Sequence, residues 1–144
     1  ENNIKLHTSA RVSEIDRAAK TVRAANGIVE AYDKLVIATG SSAFVPPVDG
    51  LKSDDKPSEF KDGVFVFRTL DDCNNISNYS AKAKRAAVIG GGLLGLEAAR
   101  GLLNLGVETH VVQLMPHLME VQLDQPASGV LLGAMEQMGV KVHL

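Results

Sequence analysis

The sequence contains no tryptophan, and aromatic residues make up only 4% of its 144 residues. Aromatic platforms of the kind that stack the bases of single-stranded nucleic acid are therefore not expected. The net charge is −2, so no strong field favours nucleic acid or an anionic membrane surface. No apolar run is long enough to cross a bilayer. We therefore predict neither a nucleic-acid partner nor a membrane partner.

Cysteine is nearly absent, because Cys73 is the single one in the sequence. One cysteine excludes an intramolecular disulfide and a Cys-x-x-Cys redox pair. Since no histidine or second cysteine is spaced to activate it, Cys73 is more simply a helix-packing residue than a catalyst. The four histidines show no metal-ligand spacing, so we predict no metal site. The first residues lack the apolar core of a secretory signal, and a cytoplasmic location is the simplest expectation.

A glycine-rich turn is the most informative feature that is present. An apolar run over residues 86–89 predicts a buried strand, and Gly90, Gly92 and Gly95 follow it in G-x-G-x-x-G spacing before a helical pattern. Gly90 permits the tight turn, Gly92 lets a pyrophosphate approach the backbone, and Gly95 lets the helix pack closely on the strand. The free N–H groups at the helix start then face the phosphates. We predict a dinucleotide site that also includes Gly91, Leu93 and Leu94; the alternative is a glycine turn without a ligand.

The remaining pattern predicts an α/β fold. From about residue 64 onward, strands at 64–67, 86–89, 107–113 and 140–144 alternate with helices, which is typical of a Rossmann-type parallel sheet. Before it we expect an antiparallel β-meander, with strands at 4–7 and 10–16 and a hairpin across Asn26-Gly27, in which both turn residues accept positive φ. The continuously apolar run at 35–38 predicts one further strand, covered on both faces. Proline and polar residues predict a linker over 45–63.

Several segments together carry a resemblance to a known family. Tyr32 to Gly40 resembles the Ala-Thr-Gly strand that closes the FAD domain of FAD-dependent pyridine nucleotide-disulphide oxidoreductases. Phe67 to Asp72 resembles the segment by which the chain of these proteins enters the NAD domain. Gly90 to Ala99 resembles their NAD-binding motif. Leu114 to Asp124 narrows the similarity to the large subunits of assimilatory NAD(P)H-dependent nitrite reductases. The resemblance covers nearly the whole sequence.

The resemblance implies an electron-entry module in which NAD(P)H gives hydride to FAD. It implies that residues 1–44 are the C-terminal part of an FAD-binding domain and that 64–144 are a truncated NAD(P)-binding domain. Siroheme and an iron–sulfur cluster would belong to parts of the parent polypeptide outside this sequence, and the FAD glycine motif would precede residue 1. Both ends of the sequence look cut, so we expect the chain on its own to be inactive and to self-associate through exposed sheet edges.

Other interpretations remain open at this stage. A rubredoxin or ferredoxin reductase or an NADH oxidase would share most of these segments, and the chain could be a non-catalytic nucleotide-binding fragment. We expect no acid–base catalytic residue, because the hydride chemistry belongs to the cofactors.

Two polar side chains near the glycine turn are candidate NAD ligands. Gln113 stands at the end of the second strand, where an acidic residue is expected to accept the ribose hydroxyls and repel a 2′-phosphate. Gln113 can accept one such bond, and His117 is the only nearby cation, so NAD is favoured over NADP. The alternative is a solvated strand end. Glu97 is either a dipole-compatible carboxylate in the first helical turn or, by the resemblance, a residue that orients the nicotinamide and flavin.

The resemblance also points to flavin contacts outside the glycine turn. It implies that the backbone N–H groups of Thr39 and Gly40 lie near FAD; without the resemblance, simple strand termination would be the expected explanation. Arg68 would approach the flavin from the linker side, where a cation could stabilise reduced, anionic flavin. An exposed surface arginine is the alternative for Arg68.

Overall fold

The computed structural model describes residues 4–144, which divide into two compact units, the first ending at Ser41 and the second spanning Ser42–Leu144. Each unit has its own three-stranded sheet, one antiparallel and one parallel. The predicted α/β class is therefore confirmed. In chain order the elements are β1 (Val12–Asp16), β2 (Thr21–Ala24), β3 (Val29–Ala31), α1 (Leu70–Ser80), β4 (Arg85–Ile89), α2 (Leu93–Asn104), β5 (Glu108–Val112), α3 (Gln125–Gln137) and β6 (Lys141–His143).

The first unit is an antiparallel meander in the order β1-β2-β3. The predicted hairpin at Asn26-Gly27 joins β2 to β3, and Ala24 N–H donates to the Ile28 carbonyl at 2.8 Å. Only Gly27 takes a positive φ, of 89°, whereas we expected one at both turn residues. The reason is that the loop is longer than two residues. The Gly27 N–H donates to the Ala24 carbonyl at 3.0 Å and closes a turn, after which Gly27 alone takes the left-handed conformation that returns the chain to β3.

Three segments predicted as strands are not strands in the structure. Residues 4–7, 35–38 and 64–67 have extended or irregular backbone and pair with no strand of the described residues. Val36 is 84% exposed and Ile37 69% exposed, so the run at 35–38 is not covered on either face. An apolar sequence is not sufficient for a strand, because the ladder and the cross-strand contacts of a neighbour supply most of its stabilisation.

The second unit is built on a parallel sheet in the order β4-β5-β6, with Val88 opposite Val111 and Val111 opposite Val142. Helix α2 packs on β4 and β5, and α3 packs on β6. The buried core between helices and sheet consists of Leu96, Ala99, Val111, Leu118, Met135 and Val140. Consecutive parallel strands joined by helices form half of a doubly wound sheet, which brings the carboxyl ends of β4 and β5 to one edge.

The helix ends follow their sequence signals. Thr69 and Asp72 form a capping box on α1: Asp72 N–H donates to Thr69 Oγ1 at 3.1 Å, and Thr69 N–H donates to Asp72 Oδ2 at 2.8 Å. The bond from the Thr69 N–H, with a further contribution from the Thr69 side chain, holds the pKa of the Asp72 carboxyl below its ordinary value. Asp124 caps α3 through Ala127 N–H at 2.9 Å. Within residues 4–144, no helix is both long enough and apolar enough to cross a membrane.

Candidate nucleotide-binding site

The glycine turn lies where β4 ends and α2 begins, at the carboxyl edge of the parallel sheet. Gly90 has a φ of 113°, a conformation that L side chains rarely adopt, and its N–H donates to the Val112 carbonyl at 2.8 Å. The hydrogen bond extends the pairing of β4 with β5 by one residue. Gly90 therefore turns the chain sharply while it remains attached to the sheet.

The other two glycines of the spacing have different surroundings. A Cβ on Gly95 would lie 2.0 Å from the carbonyl oxygen of Gly90, which is a backbone atom and cannot rotate away. A Cβ on Gly92 would meet nothing within 4 Å, and Gly92 has a φ of −83°, which any residue can adopt. The fold therefore requires glycine at position 95, whereas Gly92 leaves open space above the turn.

The first N–H groups of α2 precede the first intrahelical hydrogen bond and receive no side-chain cap from Gly92. Gly92 is the N-cap and contributes no side-chain hydrogen bond, and the first intrahelical bond runs from Leu96 N–H to the Gly92 carbonyl at 3.0 Å. The N–H groups of Leu93, Leu94 and Gly95 precede that bond. Uncapped N–H groups at the positive end of a helix dipole bind anions such as phosphate.

Gly91 ties the turn to the segment that follows β5. Its N–H donates to Oε1 of Gln113 at 2.8 Å, and its carbonyl accepts from Met119 N–H at 3.0 Å. Leu118 is fully buried beneath it, and a Cβ on Gly91 would lie 2.5 Å from Cδ2 of Leu118. Met119 takes a positive φ of 52° where the segment bends back to the turn. The Gly91 N–H is thus used within the protein and is not one of the free donors.

Gln113 is only 8% exposed, which contradicts the alternative of a solvated strand end. Its side-chain oxygen accepts from Gly91, and its amide nitrogen donates to Oε2 of Glu120 at 2.8 Å. We expected the oxygen to point to a ribose hydroxyl, whereas both ends of the amide are engaged with protein groups. Sequence reasoning missed Glu120, because no local pattern shows which way the Gln113 side chain turns.

The other candidate residues are exposed. Glu97 is exposed and is the fifth residue of α2, so it lies in the second helical turn and not in the first. The helix begins at Leu93, which weakens the dipole explanation because that effect decays within one turn. Arg68 is exposed before α1, and its backbone N–H donates to Oδ2 of Asp72 at 3.1 Å. Thr39 and Gly40 are exposed in the first unit.

Histidines and carboxylates also meet on the parallel sheet. His110 Nδ1 lies 2.9 Å from His143 Nε2, and Glu108 pairs with Lys141 and with His110. The hydrogen bonds from Lys141 and His110 lower the pKa of Glu108. Among residues 4–144 no three His, Cys, Asp or Glu side chains are placed to hold a metal ion. This cluster is therefore an ion-pair network on a sheet face.

The whole sequence, residues 1–144, matches the family described as pyridine nucleotide-disulphide oxidoreductase. The chain belongs to this family. Among curated members, it is 49% identical over 143 residues to the large subunit of nitrite reductase [NAD(P)H] from Klebsiella oxytoca, covering 99% of this chain and 14% of that protein. It is 43% identical over 143 residues to the nitrite reductase (NADH) large subunit of Escherichia coli K12, covering 99% of this chain and 16% of that protein.

Solved structures of the family share the fold. The water-forming NADH oxidase from Lactobacillus brevis, determined with NADH bound, superposes with a TM-score of 0.76 at 27% identity, over 93% of this chain and 29% of that one. The chain thus spans less than a third of these relatives, and about a sixth of the two nitrite reductases. The family is named for oxidoreductases and a pyridine nucleotide, and the two curated relatives are named for NAD(P)H and NADH.

Proposed function

We propose that the second unit binds NAD(H) at the glycine turn and presents it for electron transfer to a flavin. The observation that carries this proposal is the turn itself, in which Gly92 leaves open space in front of the uncapped N-terminus of α2. A pyrophosphate would lie there, against the N–H groups of Leu93, Leu94 and Gly95. The neighbouring Gly90 and Gly95 hold the strand, the turn and the helix together.

The role of the protein in this reaction is to bind and to orient. A bound reduced nicotinamide supplies a hydride, and the protein sets where its rings lie. Glu97 is exposed one helical turn beyond the proposed phosphate site, a place from which a carboxylate can orient the nicotinamide end. We propose no acid–base catalyst within this chain.

The described residues fit one dinucleotide and do not form a second site of the same kind. The sequence contains a single G-x-G-x-x-G spacing, and Thr39 and Gly40 are exposed on an unpaired segment of the first unit. We propose, on the resemblance alone, that these residues and Arg68 each contact a flavin. Other parts of the parent polypeptide would complete the flavin site.

We further propose that the parent protein is the large subunit of an assimilatory nitrite reductase. Its support is the identity of 49% and 43% to two such proteins over nearly the entire chain. Siroheme and an iron–sulfur cluster would lie in other parts of that polypeptide. The test is NADH-dependent reduction of nitrite by the full-length protein; a full-length protein that reduces a rubredoxin or dioxygen and not nitrite would contradict it.

Binding of NADH to the 144-residue chain tests the turn directly. We expect saturable enhancement of NADH fluorescence, and at least tenfold weaker binding in Gly92→Ala, equivalent to about 1.4 kcal/mol. Gly101→Ala is the matched control, since a Cβ there also meets nothing within 4 Å but lies in mid-helix. Wild-type affinity in Gly92→Ala would contradict phosphate binding at the turn.

A further inference from the structure

A short chain of hydrogen bonds connects the glycine turn to a carboxylate. Gly91 N–H donates to Gln113 Oε1 at 2.8 Å, and Gln113 Nε2 donates to Glu120 Oε2 at 2.8 Å. A single side-chain amide thus bridges the turn and Glu120. In a dinucleotide-binding βαβ unit an acidic group after the second strand accepts the ribose hydroxyls of the adenosine half. Here the second strand is β5, and the residue directly after it is the neutral Gln113.

The backbone of the segment that carries Glu120 is attached to the turn independently of the amide, which leaves the amide to orient the carboxylate itself. Met119 N–H donates to the Gly91 carbonyl at 3.0 Å, so the residue next to Glu120 is fixed to the turn. Leu118 is fully buried beneath Gly91, which anchors the same segment to the core. Glu120 itself is exposed, so its second oxygen is accessible to a ligand.

The segment that carries Glu120 offers acidic side chains and no strong cation. Residues 113–124 contain no lysine or arginine, and the ring of His117 contacts the Leu118 carbonyl through Nδ1 at 3.2 Å. A 2′-phosphate on the ribose would therefore meet a carboxylate and find no guanidinium or ammonium partner on this segment. A carboxylate and a phosphate repel each other appreciably at the protein surface only when they are within a few ångströms, as they would be here.

From this geometry we infer that Glu120 selects NAD(H) over NADP(H), and that Gln113 is a positioning residue that aims the Glu120 carboxylate. The acidic function expected at the strand end is supplied from seven residues further along. The inference deepens the proposed function and rests on it, since it assigns the ribose end of the same site. Glu120 accepts a ribose hydroxyl hydrogen from NAD(H) and repels the extra phosphate of NADP(H).

Calorimetric titration of the chain with NAD⁺ and with NADP⁺ tests this assignment. We expect the wild-type chain to prefer NAD⁺, and Glu120→Gln to shift the ratio of the two dissociation constants toward NADP⁺ by about tenfold. Glu136→Gln makes the same charge change on the exposed face of α3 and leaves the ratio unaltered. An unchanged ratio in Glu120→Gln, or a wild-type ratio near one, would overturn the inference.

The positioning role of Gln113 has its own measurement. Gln113→Met keeps the length of the side chain but makes neither hydrogen bond. We expect it to shift the ratio of the NAD⁺ and NADP⁺ dissociation constants as far as Glu120→Gln does. The double variant should lose no more than either single one, because both act through one carboxylate. Full discrimination in Gln113→Met would contradict positioning. Absence of NAD⁺ binding by the wild-type chain would instead overturn the proposed function, and the inference with it.

Discussion

Alanine at position 95 should disrupt the second unit, whereas the same change six residues later in α2 should not. In Gly95→Ala the new methyl carbon would lie 2.0 Å from the Gly90 carbonyl oxygen, more than 1 Å inside ordinary contact. That oxygen belongs to the backbone of the turn, so the strain is relieved only if α2 moves away from β4. Overpacking of this kind costs typically 1–3 kcal/mol and occasionally more, and we expect at least 3 kcal/mol because no side chain can yield.

Gly101→Ala provides the comparison within the same helix. A Cβ there meets nothing within 4 Å, and alanine is favoured over glycine in a helix interior by about 1 kcal/mol. The two substitutions are chemically identical and should change the free energy of unfolding with opposite signs. Urea unfolding followed by far-ultraviolet circular dichroism measures both, and the slope m shows whether the native state stays compact. If the free energy of unfolding of Gly95→Ala lay within about 1 kcal/mol of the wild-type value, the close packing of Gly95 against Gly90 would be refuted.

Three further predictions concern other parts of the chain. Gly91→Ala should lower the free energy of unfolding by roughly 1–3 kcal/mol. Leu118→Ala is itself destabilising because Leu118 is buried, but the double variant should lose less than the sum of the two single losses; additive losses on urea unfolding would contradict the contact. The Asp72 pKa is lowered in the folded state, so its stabilisation of α1 is complete above the ordinary value of 3.8 and is lost as the pH falls through the folded pKa. The stability difference between wild type and Asp72→Asn should therefore shrink in acid, and a difference independent of pH would exclude the capping box as its cause. We also expect self-association, because an apolar groove of about 730 Å³ opens beside β4, lined in part by Phe65, Ile89 and Leu94; sedimentation as a clean monomer at high concentration would contradict this.

Local chemistry explains which features could be predicted from the sequence. The glycine turn depends on contacts within a few residues, so its residue types are sufficient to predict it. The segments at 35–38 and 64–67 have strand-like composition, but a strand depends on partners distant in sequence, and the described residues provide none. The residue type of Gln113 does not predict which way its side chain turns, since a glutamine after a strand could equally face solvent. Only its contacts with Gly91 and Glu120 show that it faces inward.

The attachment of Gly91 to both Gln113 and Met119 has a consequence for protein engineering. Because the backbone of one glycine holds the segment after β5 in place, the proposed phosphate and ribose ends of the site belong to one connected structural unit. Grafting the 114–120 segment of a relative with different coenzyme preference would import a new residue beneath Gly91 in place of Leu118. A successful graft must therefore exchange residues 90–95 and residues 114–120 together.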